Sequence, residues 1–314
     1  MHRLRPSYCN LVTRTTFDRK VCVEIVFSEH VKLTWMFSKC FTKKMMVPGE
    51  VISARKIDGT VLETSCKCSS INTIITFSAP LESSFQLVTS YLLYLFPCPI
   101  RKFELDMKFF SNLTSFSKLI TVEKCEMLTL RAGKSSKENV EKVLNSFDGF
   151  KYFEMIGYVG EGIACEKMNG LDVLKTNDAI WLPTNIFMKL DCRKIEIGEN
   201  DYLPSDINKF IKKWLNYGFE NLEYLIVHME ELFEEEIEMI LGDVFVEDWD
   251  PKIRHGYYRT NKTTLYDCRK GHDIIRADGK ISLSLTECFT LETQSNRSSR
   301  PNISSQPFFE AMKK

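Results

Sequence analysis

KFELDM at residues 102–107, EMLTLRA at 126–132, KYFEMIG at 151–157, LDVLK at 171–175, RKIEI at 193–197 and LEYLIVH at 222–228 together decide the fold. Each alternates apolar with polar residues, the period of a strand with one buried face. Their starts lie 24, 25, 20, 22 and 29 residues apart. Intervals of that size belong to leucine-rich-repeat units, where each strand and its return helix bury their apolar faces against the next unit. The intervening segments read as helices. SSKENVEKVLNSF carries Val140, Val143, Leu144 and Phe147 at helical spacing, and DAIWLPTNIFMKL opens a helix near Pro183. SDINKFIKKWL offers Ser205 as N-cap, with Ile207, Phe210, Ile211 and Trp214 on one face. The repeats are degenerate and carry no regular asparagine ladder. The expected fold is therefore α/β, a degenerate leucine-rich-repeat-like αβ solenoid with β-hairpin-rich N-terminal and C-terminal caps.

Outward from this block, residues 21–80 read as β structure. VCVEIVF and VKLTWMF form one hairpin; VISARKI and TVLETSC form another around Asp58-Gly59; INTIITF follows. The period then changes, and Leu81, Phe85, Val88, Leu92 and Leu95 fall on one helical face stopped by Pro97 and Pro99. After residue 243 the repeat pattern ends. RHGYYRT and DIIRADGKISLSL, the latter with an Asp278-Gly279 turn, read as a β cap over the last repeat. The organisation expected is a short segment 1–20, a domain over 21–292 (β-rich 21–80, αβ repeats 81–242, β cap 243–292) and a disordered polar tail 293–314 whose large apolar groups are Phe308 and Phe309.

Composition removes several function classes. The 314 residues balance 42 Lys and Arg against 42 Asp and Glu. Zero net charge argues against non-specific binding to nucleic acid or to an anionic membrane. At this length a fold buries roughly three quarters of the surface its unfolded chain exposes, so neither disulfides nor a structural metal is required. The 11 cysteines are odd in number and scattered, and the amino terminus lacks the apolar run of a secretory signal. Leu87–Phe96 is about half the length of a bilayer span. The chain is expected to be soluble and intracellular, in the cytoplasm or nucleus. Without a signal peptide, the sequons at Asn112, Asn261, Asn296 and Asn302 carry little weight.

Chemical motifs are hinted at and fail. Ala132-Gly133-Lys134-Ser135-Ser136 stands where a phosphate loop would, but position 128 is Leu where that motif needs glycine, so a strand-to-helix turn is expected. Gly157, Gly160 and Gly162 have the wrong order for a dinucleotide fingerprint. Cys66 and Cys68 are too close and lack the second pair of a zinc site. The five histidines are isolated, and no nucleophile elbow is present. No catalytic residue, metal or cofactor is expected. The acids at Glu230, Glu231, Glu234, Glu235, Glu236 and Glu238 interleave with Leu232, Phe233, Ile237, Ile240 and Leu241, the outer face of an amphipathic helix, with Lys209, Lys212 and Lys213 nearby to offset them.

The carboxyl-terminal half resembles a known family. Ile180-Trp181, Lys189-Leu190-Asp191-Cys192, Ile195-Glu196-Ile197, the run Leu203 to Trp214, and Leu222-Glu223-Tyr224-Leu225 carry the resemblance. Asp250-Pro251, Arg254, Tyr257, Asp273-Ile274 and Arg276-Ala277-Asp278-Gly279 extend it. They resemble the nematode F-box-associated type 2 domain family, strongly over about 165–292 and more loosely over about 20–165. The resemblance implies the target-recruiting part of an F-box protein. An F-box itself docks on the adaptor subunit of cullin-RING ubiquitin ligases, and it needs about forty residues with an early Leu-Pro; only MHRLRPSYCNLVTRTTFDRK precedes the first hairpin, so no F-box is expected here.

The repeat pattern also defines a surface. Phe103, Leu105, Met107, Leu128, Leu130, Phe153, Met155, Ile195, Ile197, Leu225 and Val227 should face the helices. The alternate set should face the open side of the sheet: Lys102, Glu104, Asp106, Thr129, Arg131, Tyr152, Glu154, Lys194, Glu196, Tyr224, Ile226 and His228. Mixed charge with two tyrosines suits a protein or peptide partner of unknown identity. The expected function is a non-catalytic protein–protein interaction module. The rivals are a complete ligase adaptor with its F-box upstream, and an enzyme whose site is assembled from distant residues such as His228 and Cys192.

Overall fold

Six strands pair in the order in which the sequence delivers them. In the computed structural model β7 (Ile100–Asp106), β8 (Met127–Arg131), β9 (Tyr152–Ile156), β10 (Val173–Asp178), β11 (Lys194–Glu199) and β12 (Tyr224–Val227) are parallel neighbours throughout. The structure describes residues 10–15, 21–27, 32–38, 51–66, 73–77, 81–96, 100–108, 125–133, 135–147, 149–160, 162–163, 166–229, 232–252, 257–259, 265–267, 269, 272–278, 281–284 and 289–292. The tail 293–314, the four sequons, Cys68, and the acids Glu230 and Glu231 lie outside them.

The register keeps like with like. Phe103, Leu128, Phe153, Leu174, Ile195 and Leu225 form one row across the six strands; Leu105, Leu130, Met155, Thr176, Ile197 and Val227 form the next. All eleven residues expected to face the helices are buried, none more than 6% exposed. Helices cover them on one side. Among the described residues these are α1 (Leu81–Leu95), α2 (Lys137–Ser146), α3 (Thr184–Phe187), α4 (Pro204–Leu215) and α5 (Glu234–Leu241), with a 3-10 segment at Glu166–Gly170. Rings link the two layers: Phe85 lies 6.3 Å from Phe103, Phe103 5.0 Å from Phe147, and Phe153 6.3 Å from Trp181. Farther along, Phe210 stacks on Phe187 at 4.8 Å and on Phe219 at 4.1 Å.

The N-terminal hairpins join this same sheet. β2 (Val21–Val26) pairs antiparallel with β3 (Lys32–Ser38), and β4 (Val51–Ile57) with β5 (Thr60–Cys66). Asp58 and Gly59 both have positive φ, 46° and 78°, which is what a two-residue hairpin turn needs. β6 (Thr73–Phe77) runs between β3 and β5. The sequence reading has no strand before Val21, and the structure corrects it. β1 (Asn10–Thr15) pairs antiparallel with β2 and parallel with β7, joining hairpins and repeats. Its buried Thr13 accepts the Glu104 N–H at 2.9 Å and donates to the Glu104 carbonyl at 3.3 Å, so a polar residue occupies a core-facing position.

At the other end, Glu247–Asp248 (β13), His272–Ile275 (β16) and Ile281–Ser284 (β17) form a small antiparallel sheet, and Tyr257–Arg259 (β14) pairs with Leu265–Asp267 (β15). Phe289–Glu292 (β18) returns to the main sheet antiparallel to β12. The result is a mixed α/β protein on one open sheet that, among the described residues, has thirteen strands running from β18 to β4, with seven of twelve pairings parallel. One cap differs from expectation. Ser205 is not the N-cap of α4; Leu203 is, with Pro204 at the first helical position and the Asp206 carboxylate accepting the Leu203 N–H at 3.3 Å. Proline's fixed φ suits that first position, and the helix starts two residues earlier than a Ser205 cap would have it.

Candidate functional site

On the face opposite the helices the same register produces two rows of mixed character. One runs Lys102, Met127, Tyr152, Val173, Lys194, Tyr224; the other runs Glu104, Thr129, Glu154, Lys175, Glu196, Ile226. The expected open-face residues from 102 to 226 therefore do share one surface, with Asp106 and Arg131 adjacent in the next row and His228 just past the end of β12. Met127, Val173 and Lys175 complete it and are absent from the sequence reading. The signal for Lys175 was available, since it alternates with Leu174 in the quoted LDVLK strand.

Exposure divides the set. Glu104 is 7% exposed, Thr129 1%, Tyr224 6% and Ile226 0%, so these four are covered. The expectation that they stand open to a partner is corrected. Thr129 is a short side chain between Glu104 and Glu154, Glu104 lies under the cations it binds, and Tyr224 and Ile226 lie on the strand along which β18 runs. Lys102, Asp106, Arg131, Tyr152, Glu154, Lys194 and Glu196 remain half-buried, and His228 is exposed.

Charges on this face are largely matched within it. Arg131 Nε donates to Glu104 Oε1 at 2.8 Å, and Lys102 Nζ approaches the other Glu104 oxygen at 3.4 Å. Lys175 Nζ donates to Glu196 Oε1 at 2.8 Å. Thr129 donates to Glu154 Oε2 at 3.2 Å, and the Tyr152 hydroxyl also hydrogen-bonds Glu154. Lys194 sits 5.4 Å over the Tyr224 ring and 3.8 Å from Glu223. Burial, then the negative charges of Glu154 and Glu196, push the Tyr152 phenol above its ordinary range. It remains a neutral donor at any physiological pH.

Near the ends of the strands, two asparagines tie neighbours together. Asn177 Oδ1 accepts the Gly157 N–H at 2.8 Å across β9 and β10. Asn200 Nδ2 lies 2.8 Å from both the Gly198 and the His228 carbonyls, across β11 and β12. The sequence reading finds no regular ladder, and these two, 23 residues apart, are separate bridges, Asn177 reaching back to the end of β9 and Asn200 forward to the end of β12. Gly198 is packed so closely on the Asn177 carbonyl that a Cβ there would collide with it.

Elsewhere, Gly133 has φ 64° and Ser135 folds back onto the Ala132 carbonyl through N–H (3.1 Å) and hydroxyl (2.6 Å), a tight turn from β8 into α2. Cys192 is buried, its thiol pushed up to about 12 chiefly by that burial. Of the three lysines near α5, Lys212 meets Asp243, whereas Lys209 pairs with Asp206 at 3.0 Å and Lys213 donates to the Met188 carbonyl at 2.6 Å. Among the described residues no group of three or more His, Cys, Asp or Glu could hold a metal ion, and no helix is long and apolar enough to cross a membrane.

Fold and surface thus define a mixed α/β protein whose main sheet carries a run of parallel strands from β7 to β12. Residues 163–227, which include β10 to β12, match the family model described as F-box associated. The family resemblance read from the sequence is borne out over this segment. Two uncharacterized proteins of Caenorhabditis elegans, F59B2.9 and F59B2.8, are each 21% identical, over 285 and 282 residues. The alignments cover 88% and 86% of this chain but 63% and 62% of the relatives, so the chain spans less than two thirds of their length. No solved structure matches.

Proposed function

We propose that this chain is a non-catalytic protein–protein interaction module of the kind that recruits targets to F-box proteins, built as a degenerate leucine-rich-repeat-like solenoid. The observation that carries the reading is the F-box-associated match over β10 to β12. The sequential parallel strands support the solenoid part, with Asn177 and Asn200 each bridging to a neighbouring strand. The half-buried part of the open face, around Arg131, Tyr152, Glu154, Lys175 and Glu196, is the surface offered to a protein or peptide partner. Docking on the adaptor subunit of a cullin-RING ligase would require an F-box and follows from the family relationship alone.

The test is affinity purification with mass spectrometry from nematode extract, comparing wild type with a Tyr152→Ala, Lys175→Glu double variant. Both side chains stand at the accessible part of the face, unlike Tyr224, whose truncation would disturb packing. A partner set lost in the folded variant supports the reading. An unchanged set would sink it.

A further inference from the structure

We propose that the open sheet face takes an extended, uncharged segment of a partner polypeptide, with an aliphatic or aromatic side chain laid over Met127, Tyr152 and Val173. This rests on the reading of that face as the partner surface and adds the chemistry of what fits it.

Charge complementarity carries the argument. Lys102 and Arg131 are engaged by Glu104, and Lys175 by Glu196. Glu154 accepts from Thr129 and Tyr152, and Asp106 accepts the Lys108 N–H at 3.0 Å. Lys194 is held between Glu223 and the Tyr224 ring. An acidic segment would have to draw these cations from their carboxylates, and a basic one would have to draw the carboxylates from their cations. Either would leave a half-buried charge with its partner removed, a cost that offsets the new pair. A face whose charges are matched internally is complementary to a ligand without charge.

What the pairing leaves over is apolar and contiguous. Met127, Tyr152 and Val173 are consecutive in one row, on three neighbouring strands, all half-buried. Strands lie about 4.8 Å apart, so the row is about 10 Å long, the reach of three residues of extended chain. The Tyr152 hydroxyl is engaged by Glu154, and Tyr152 stands between Met127 and Val173 in the row. The lysine stems at either end of the row, Lys102 and Lys194, extend the apolar strip while their ammonium groups stay occupied.

The experiment uses the full chain and a phage-displayed library of short random peptides, followed by affinity measurement of the enriched peptides at low salt and at about 1 M NaCl. Enriched peptides should be near zero net charge, carry an aliphatic or aromatic residue, and change affinity less than ~3-fold with salt. Tyr152→Ala or Val173→Thr should weaken them about tenfold, whereas Tyr152→Phe, which keeps the ring, should change them less than ~2-fold. Val173→Thr keeps volume and strand preference, so loss of binding there is not loss of fold. Peptides that need Tyr152 and Val173 but are strongly charged and released by salt would overturn the chemistry and leave the face intact as a partner surface. Peptides indifferent to both substitutions would overturn the face itself, and with it this proposal. A library that yields no binder would also overturn it.

Discussion

Arg276 sits where a core residue would, only 2% exposed, yet carries a full charge. Its guanidinium is bidentate to Asp278, at 2.9 and 2.6 Å, and donates to the Trp214 carbonyl at 3.2 Å. It also lies 5.2 Å from the Trp214 ring and 5.3 Å from the Tyr217 ring. One side chain therefore fastens the β16–β17 hairpin to the end of α4, where a cation is favoured by the helix dipole. Arg276→Ala should cost about 2–3 kcal/mol in urea unfolding, because the stack and the buried ion pair go together. Arg276→Lys should recover less than half of that loss, since an ammonium cannot reproduce the planar fork. The buried thiols give a second test at this scale. Cys125 is pushed from 9.0 up to about 12, chiefly by burial, as is Cys192. The folded state thus holds these protons more tightly than the unfolded state. The stability they contribute is complete below pH ~9 and is lost as pH rises from there toward about 12. Iodoacetamide at pH 8 should label neither thiol in the folded protein, and both in urea, when read by peptide mapping.

At the scale of elements, the start of α4 separates two readings of its cap. Asp206 accepts the Leu203 N–H and also holds Lys209 at 3.0 Å, while Ser205 is exposed one position inside the helix. Asp206→Ala should therefore cost about 1 kcal/mol by thermal unfolding, and Ser205→Ala should stay within about 0.5 kcal/mol of wild type. The reverse order would restore Ser205 as the cap. Such details are hard to read in advance because Ser and Asp are both good caps and only the backbone path chooses between them. The six parallel strands were legible because apolar residues alternate in most of them, as in Phe103, Leu105 and Met107, and recur at repeat spacing in the rest. β1 was not, because its core-facing Thr13 is polar and is satisfied by the backbone of Glu104, 91 residues away. The site was legible to a similar degree. Alternation alone predicts which face Glu104, Tyr152 and Glu196 share. It is blind to the pairing across strands that covers Glu104, and to the returning β18 beside Ile226.

Over the whole molecule, the order of the sheet makes β1 the joint between two differently built halves. Toward β4 the pairings are mostly antiparallel hairpins; from β7 to β12 every pairing is parallel and between consecutive strands. An array of the second kind is coupled through nearest neighbours, so damage at one end should fade along it. β1 is bonded on both sides, to β2 and to β7, and Thr13 adds two further hydrogen bonds to Glu104. Thr13→Pro removes a ladder donor, both of those bonds and a buried side chain in one step. Hydrogen–deuterium exchange read by mass spectrometry should then report amides of β2 and β7 exchanging more than ~10-fold faster, with a smaller rise in β8 and no change in β10 and β11. A uniform rise across all thirteen strands would mean that the sheet unfolds as a single cooperative unit. In that case the repeats could not be treated as a chain of separately stabilised neighbours, and substitutions at Tyr152 would have to be judged against the stability of the entire sheet.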